Sequence, residues 1–331
     1  AVIGIAAMRL LHRRGVKVLR RYRYLFLVAS LGLLALPLLP SSLPLGGATV
    51  NGSRLWVRLS LDERTLSFQP GEAAKVLIVV FLASYLADRR RVLAEMPHSV
   101  GPLRLPEPRQ LLPILLAFSI AFMVLVYQRD LGASLLLFLV FVMLLYVATA
   151  RATYLVAGGL LAVGGAFAAA TWFSHVAVRV EAWLHPFQDY ATGGYQVAQG
   201  VFALAEAGLV GTGLGNGSPW LIPAASTDYV FIAIVEETGL AGGLALLAAY
   251  ALLVTIGFGI ALRANDSFRS LLAAGLTIVL AVQTLLIIGG VLRMLPLTGI
   301  TLPFASYGGS SLLVNVLIIA LLARVSHEER T

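Results

Sequence analysis

The chain has no cysteine, which excludes disulfide staples and thiolate metal sites. Charge is scarce as well: acidic and basic residues fill 12% of the 331 positions, against 59% hydrophobic ones. Histidine occurs five times, and neither His175 nor His185 stands at a metal-ligand spacing from the acids. No Ser/Cys–His–Asp constellation points to a hydrolase. A water-soluble fold of this length needs a polar exterior that so few charges cannot supply, and the mean hydropathy of +0.89 agrees. Disordered, fibrous and small stapled folds fall on the same numbers.

What the chain does have is long, continuous apolar runs. A bilayer-spanning helix needs roughly 20 mostly apolar residues. Eight such runs are present, at residues 23–41, 71–87, 111–128, 131–149, 154–174, 239–262, 271–292 and 308–324. They are continuous rather than alternating, so helices are expected, not a β-barrel. The fold class is therefore an all-α polytopic membrane protein, a helical bundle read as one integral membrane domain over 1–331. Residues 1–8 resemble the tail of a further span. The chain opens at Ala1 without a cleavable signal peptide, so its start is expected to be trimmed.

The net charge of +8 is first a matter of topology. One basic set runs from Arg9 through Arg13, Arg14, Lys17, Arg20 and Arg21 to Arg23. Others are Arg89, Arg90, Arg91, Arg104 and Arg109, then Arg151, Arg263, Arg269, Arg324 and Arg330. All fall on alternate connections, which are read as cytoplasmic. Nucleic acid is accordingly not an expected partner. The opposite face then carries residues 42–70, a long loop at 175–238 and the Pro-punctuated stretch from Leu295 to Tyr307. The long loop holds apolar helical-looking pieces near 196–210 and 229–237. A long structured loop between spans is where a site is expected. No internal repeat or mirrored pattern of broken helices supports a secondary transporter.

Several residues in these segments could carry chemistry. Glu72 and Lys75, three apart, share a helix face just inside a span opened by Pro70. They read either as a structural ion pair or as the polar wall of a cavity. Arg129 and Asp130 sit at a turn, as a surface ion pair or with Arg129 meeting a phosphate. In the long loop, Arg179 and Trp183 precede Tyr195, Gln196 and Gln199. These could bind sugar hydroxyls, and the glutamines could equally bridge helices. The run Gly211-Thr212-Gly213-Leu214-Gly215-Asn216-Gly217 could cradle phosphate but lacks the lysine of a P-loop. Asp228, at the outer mouth and opening an apolar helix, is the strongest candidate acid; Thr227 or Asp228 could instead be a helix N-cap. Glu236 and Glu237 follow, expected at an interface or paired with loop arginines. Ser306, Tyr307 and Ser310 lie in irregular backbone, which is tolerated at membrane depth only against protein or a wet cavity.

These motifs, in this order, resemble the SEDS family of shape, elongation, division and sporulation proteins, the RodA/FtsW/SpoVE group. The matching pieces are FQPGEAAK at 68–75, RDLG at 129–132, GGYQVAQG at 193–200, GTGLGNG at 211–217, STDYVFIAIVEETG at 226–239 and PLTGITLPFASYGGSS at 296–311. The texture is closer to RodA-like members. Gly71 replaces a usual serine, and Arg129 replaces a usual proline, which argues against a phosphate role for Arg129. The family has ten spans, so the eight here correspond to its third to tenth, and residues 1–22 to a remnant of the second span and a cytoplasmic loop.

The resemblance implies a peptidoglycan glycosyltransferase polymerising lipid II outside the bacterial cytoplasmic membrane, with Asp228 the essential acid. Glu72 and Lys75 would line the central cavity, alongside Arg179, Tyr195, Gln196, Gln199, Thr227, Ser306, Tyr307 and Ser310 as substrate-side candidates. The undecaprenyl pyrophosphate leaving group needs positive charge, expected from Arg179, Arg54 or Arg293 or from a divalent cation, magnesium or manganese. Expected partners are lipid II, the growing glycan strand, membrane lipids and a class B penicillin-binding protein. The rival readings are a lipid II flippase or solute permease, and a scaffold for the transpeptidase.

Overall fold

The computed structural model describes residues 16–40, 45–50, 53–61, 64–95, 98–100, 103–105, 108–188, 190 and 193–329. The expected span remnant at 1–8 and the basic residues Arg9, Arg13, Arg14 and Arg330 lie outside the described residues. Among the described ones the helices are α1 (Lys17–Arg21), α2 (Arg23–Ala35), α3 (Pro70–Ala94), α4 (Pro108–Tyr127), α5 (Leu131–Thr149), α6 (Thr153–Trp172), α7 (Ser174–Leu184), α8 (Tyr195–Ala207), α9 (Val230–Arg263), α10 (Ser267–Val291) and α11 (Gly309–Glu328). Seven of them, α3 to α6 and α9 to α11, are long and apolar enough to cross a membrane. The first apolar run forms a shorter helix, Arg23–Leu38, which closes in a 3-10 turn at Leu36–Leu38 around Pro37.

Five short strands accompany the helices. Strands β1 (Leu45–Val50), β2 (Ser53–Leu61) and β3 (Arg64–Phe68) form an antiparallel sheet in chain order, with Val57 opposite both Gly47 and Phe68. Strands β4 (His98–Val100) and β5 (Leu103–Leu105) pair as a hairpin. In the sequence both regions read as connections.

The chain divides into two compact units. The first comprises 1–158, 256–279 and 309–331. Its core is α3, whose Val76, Val79, Val80, Phe81, Leu82 and Leu86 are all buried. A helix apolar on every side belongs inside a bundle. Gly275 of α10 lets that helix close on α3 and α5: a Cβ there would lie 2.7 Å from Val79 Cγ1 and 3.3 Å from Leu144 Cδ2. Pro70 occupies the first turn of α3, and the Ser310 hydroxyl accepts the Gln69 N–H just ahead of it at 3.0 Å. At the charged helix ends Asp88 pairs with Arg20 and Arg23, and Glu329 with Arg269.

The second unit comprises 159–255 and 280–308. It contains α7, α8, the first part of α9 and the irregular stretch before α11. The two apolar pieces expected in the long loop are α8 and the start of α9.

Candidate functional site

Helix α9 is broken near its start. Gly239 has φ 71° and ψ −173°, backbone that a residue with a Cβ adopts only at a cost. Such a break frees two carbonyls below it and two N–H groups above it. The chain at 208–213 takes up all four: Thr212 N–H donates to Glu236 O and Gly213 N–H to Glu237 O, while Leu240 N–H donates to Gly208 O and Ala241 N–H to Leu209 O, at 2.9–3.2 Å. Glycines 211 and 239 are what permits this contact, because a Cβ on Gly239 would sit 2.4 Å from Gly211 N and Leu209 O. The glycine-rich run, a phosphate-cradle candidate by sequence, thus works in this unit as a splint across a broken helix.

Ahead of the short half-helix, Ala224 adopts φ 57° and its carbonyl accepts the N–H groups of Thr227, Asp228 and Tyr229 at 3.0–3.2 Å. This tight turn delivers Asp228 just before Val230. The N-cap alternative is not realised: among the described residues no backbone N–H donates to the Asp228 carboxylate. The carboxylate instead faces the Arg179 guanidinium of α7 across Gly299. An ideal Cβ on Gly299, which has φ 70°, would lie 3.7 Å from Asp228 Oδ2 and 3.7 Å from both Arg179 terminal nitrogens. Arg179 is fixed by donating Nη1–H to the Leu297 and Thr298 carbonyls at 3.4 and 3.3 Å. Burial pushes the Asp228 carboxyl above its ordinary pKa, and the Thr227 hydroxyl and Arg179 charge offset only part of that rise. A carboxylate and a guanidinium therefore approach the same point beside Gly299 from two sides.

The family of cell cycle proteins comprising FtsW, RodA and SpoVE matches residues 1–331. The chain belongs to the FtsW/RodA/SpoVE family. It is 42% identical to the peptidoglycan glycosyltransferase RodA of Mycobacterium tuberculosis over 336 residues, covering 99% of this chain and 69% of that one. It is 31% identical to the stage V sporulation protein E of Bacillus subtilis, covering all of this chain and 86% of that one. Among solved structures it matches a chain of a peptidoglycan synthase complex that coordinates polymerization and crosslinking, with TM-score 0.76, 27% identity and 98% and 87% of the two chains covered. It also matches Thermus thermophilus Rod shape determining protein RodA, with TM-score 0.64, 26% identity and 100% and 86% covered.

Within this FtsW/RodA/SpoVE chain the remaining candidates divide between backbone support and exposed side chains. Gln196 Nε2–H donates to Pro223 O at 2.7 Å, and Ser306 Oγ–H donates to Thr227 O at 2.5 Å while accepting the Leu302 N–H. The Tyr307 N–H donates to Ser226 O, leaving its ring 81% exposed. These three residues hold the 223–227 turn. Gln199 donates to the Tyr190 hydroxyl, and Tyr190 stands edge-on to Tyr195 at 5.3 Å between centroids. Arg293 and Trp183 clasp each other through side-chain N–H to carbonyl bonds of 2.9 and 2.8 Å. Glu236 is buried, and among the described residues no arginine pairs with it. Gly299, which sequence reasoning passed over, shows no local signal beyond being a lone glycine in an irregular stretch.

The first unit holds the other polar set. Glu72 and Lys75 are both buried and form an ion pair with Nζ 3.0 Å from Oε2, near the helix start where Ser310 caps Gln69. Arg129 is exposed with φ 62°, and Asp130 accepts the Ala133 N–H at 2.9 Å as the N-cap of α5.

One consequence arises directly from α8. Gly200 faces the fully buried Tyr229 ring, and a Cβ would come within 2.6 Å of its Cε1. Gly200→Ala should push Tyr229, and with it Asp228, out of place. The expected result is a fall of about 10-fold or more in catalytic rate with modest loss of thermal stability. Steady-state rates beside thermal unfolding of the same preparation check it.

Proposed function

We propose that this chain is a peptidoglycan glycosyltransferase that polymerises lipid II at the outer face of the cytoplasmic membrane, with Asp228 as general base. The observation that carries this reading is the placement of a half-buried carboxylate opposite the Arg179 guanidinium, both within 3.7 Å of a Cβ built on Gly299. The relatives named peptidoglycan glycosyltransferase support the reaction class, and the basic residues on alternate connections support the orientation.

The chemistry follows from the groups present. The acceptor sugar hydroxyl loses its proton to the Asp228 carboxylate as its oxygen bonds to the anomeric carbon of the growing strand. The bond from that carbon to undecaprenyl pyrophosphate breaks, and the pyrophosphate leaves with the electron pair. A pyrophosphate is already a good leaving group, so one base suffices. Attack from the opposite face inverts an α-linked donor to a β-linked product. The Arg179 guanidinium is placed to offset charge developing on the leaving oxygen. The described residues include no group of three or more His, Asp or Glu side chains that could cage a divalent cation, and no step here uses one. A class B penicillin-binding protein is the proposed partner, in keeping with the synthase complex that the fold resembles.

The test is polymerisation of lipid II by the purified full-length protein, alone and with its transpeptidase. Glycan strands are the expected product. Intact lipid II and no strands with the partner present would move the assignment to a flippase or a scaffold.

A further inference from the structure

Helix α9 carries a second acid that the mechanism leaves unused. Glu236 is only 2% exposed. Its Oε1 accepts the Ser218 N–H at 2.7 Å, whereas Oε2 is buried and meets no hydrogen-bond partner among the described residues. A carboxylate desolvated for a single hydrogen bond is a poor contributor to stability, and an apolar side chain of similar size would serve the fold at least as well. A buried acid of this kind calls for another explanation, and its one bond offers it.

The segment from Ser218 to Tyr229 leaves the neighbourhood of Glu236 and returns to the same helix two turns earlier, with Asp228 at its end. It runs through the 3-10 turn Pro219–Leu221 and the buried Ile222 to the tight turn at Ala224. The far side of this loop is held by Gln196, Ser306 and Tyr307 through the carbonyls of Pro223, Thr227 and Ser226. The neck is held by Glu236. Gly217 lies flat on that clamp: a Cβ there would come 3.2 Å from the Glu236 carboxyl carbon and 3.0 Å from Glu237 Cγ.

We propose that Glu236 is a positioning residue for Asp228, its bond to the Ser218 N–H closing the neck of loop 218–229 and so fixing where the reacting carboxylate stands. The inference rests on the glycosyltransferase reading above. It assigns no proton transfer to Glu236. Instead, the energy lost in burying the acid is returned as geometry at a residue eight positions away.

Initial rates of lipid II polymerisation by the full-length protein, measured against lipid II concentration with thermal unfolding alongside, test it. Glu236→Leu keeps the volume and removes the acceptor. It should lower kcat by about 10- to 100-fold with KM changed less than about threefold, and should leave the unfolding temperature unchanged or raised. Glu236→Gln keeps an amide oxygen for the Ser218 N–H and should recover kcat to within about threefold of wild type. Gly217→Ala, which wedges the clamp with Glu236 intact, should reproduce the Leu variant's loss. A Leu variant as fast as wild type overturns the proposal, as does a Gln variant as slow as Leu, because the charge rather than the clamp would then matter. A rate loss that tracks a fall in unfolding temperature also overturns it, by making Glu236 a packing residue. An inert wild type would remove the glycosyltransferase reading and this inference together; an active wild type beside an unaffected Leu variant removes only the inference.

Discussion

Asp228→Asn should abolish strand formation while leaving the protein folded. The substitution keeps size and shape and removes only the capacity to take a proton. A positioned base contributes about 10²- to 10⁴-fold to such a transfer, and the loss in rate should fall in that range. Asp228→Glu, which retains the carboxylate but moves it by one methylene, should keep part of the activity. Gel analysis of glycan products from the three proteins decides the matter. An Asn variant polymerising at the wild-type rate would mean that Asp228 is not the base.

The same residue predicts how rate and stability respond to pH. Burial raises the folded-state pKa of Asp228 above the ordinary carboxyl value, against the pull of Thr227 and Arg179. The base must be ionised, so the rate should fall as pH drops through this raised value, with the acid limb above the ~3.9 of a free Asp side chain. Stability runs the other way. A carboxyl whose folded pKa is raised contributes stability that is fully present below the unfolded pKa and is lost as pH rises through the folded one. At neutral pH the folded protein therefore bears the cost of an ionised, partly desolvated carboxylate that Asn does not. Asp228→Asn should unfold at the wild-type temperature or higher at pH 7, and the difference should shrink toward about pH 4. Thermal unfolding of both proteins across that range measures it.

How much of this could be read from the residues alone depended on how local each signal was. Apolar runs are local, so the spans were legible. Their ends were less so: the third helix runs on to Ala94, past an expected end at 87. Its charged exit is held by the pairing of Asp88 with Arg20 and Arg23 and by Arg89 stacking 4.8 Å over the Tyr85 ring. Strands β1 and β2 have a local signal in the sequence, since Asn51-Gly52 between alternating apolar residues is a hairpin pattern. Asp228 stood out as an acid opening an apolar helix. Gln196 and Ser306 were legible as polar residues near the site but not as supports, because the carbonyls they bind lie 27 and 79 residues away in sequence. The break in α9 was half visible: the sequence separated a piece at 229–237 from a span at 239–262. The 208–213 splint that makes the two continuous is a tertiary contact with no local trace.

That splint leads to the prediction of largest structural effect. Gly239→Ala combines two penalties, strain and a backbone clash, that Gly215 separates. A non-glycine residue at φ 71°, ψ −173° carries about 1–3 kcal/mol of backbone strain. The added Cβ would also meet Gly211 N and Leu209 O at 2.4 Å, backbone atoms with no rotamer to retreat into. To relieve the clash, the 208–213 segment must withdraw, and the four hydrogen bonds that bridge the helix break go with it. Each such bond contributes about 1 kcal/mol, more where the freed groups stay buried. A destabilisation of about 3 kcal/mol or more is expected, with polymerisation lost because the half-helix after Asp228 is no longer tied to the rest of α9. Gly215→Ala is the control. Its φ of +77° is also left-handed, so alanine is strained there too, but nothing lies within 4 Å of its Cβ and none of the four splint bonds involves it. If the strain alone mattered, the two variants would unfold alike. If the splint carries the load, Gly239→Ala alone should lose both its unfolding transition and its activity, while Gly215→Ala keeps polymerising at a slightly lowered unfolding temperature.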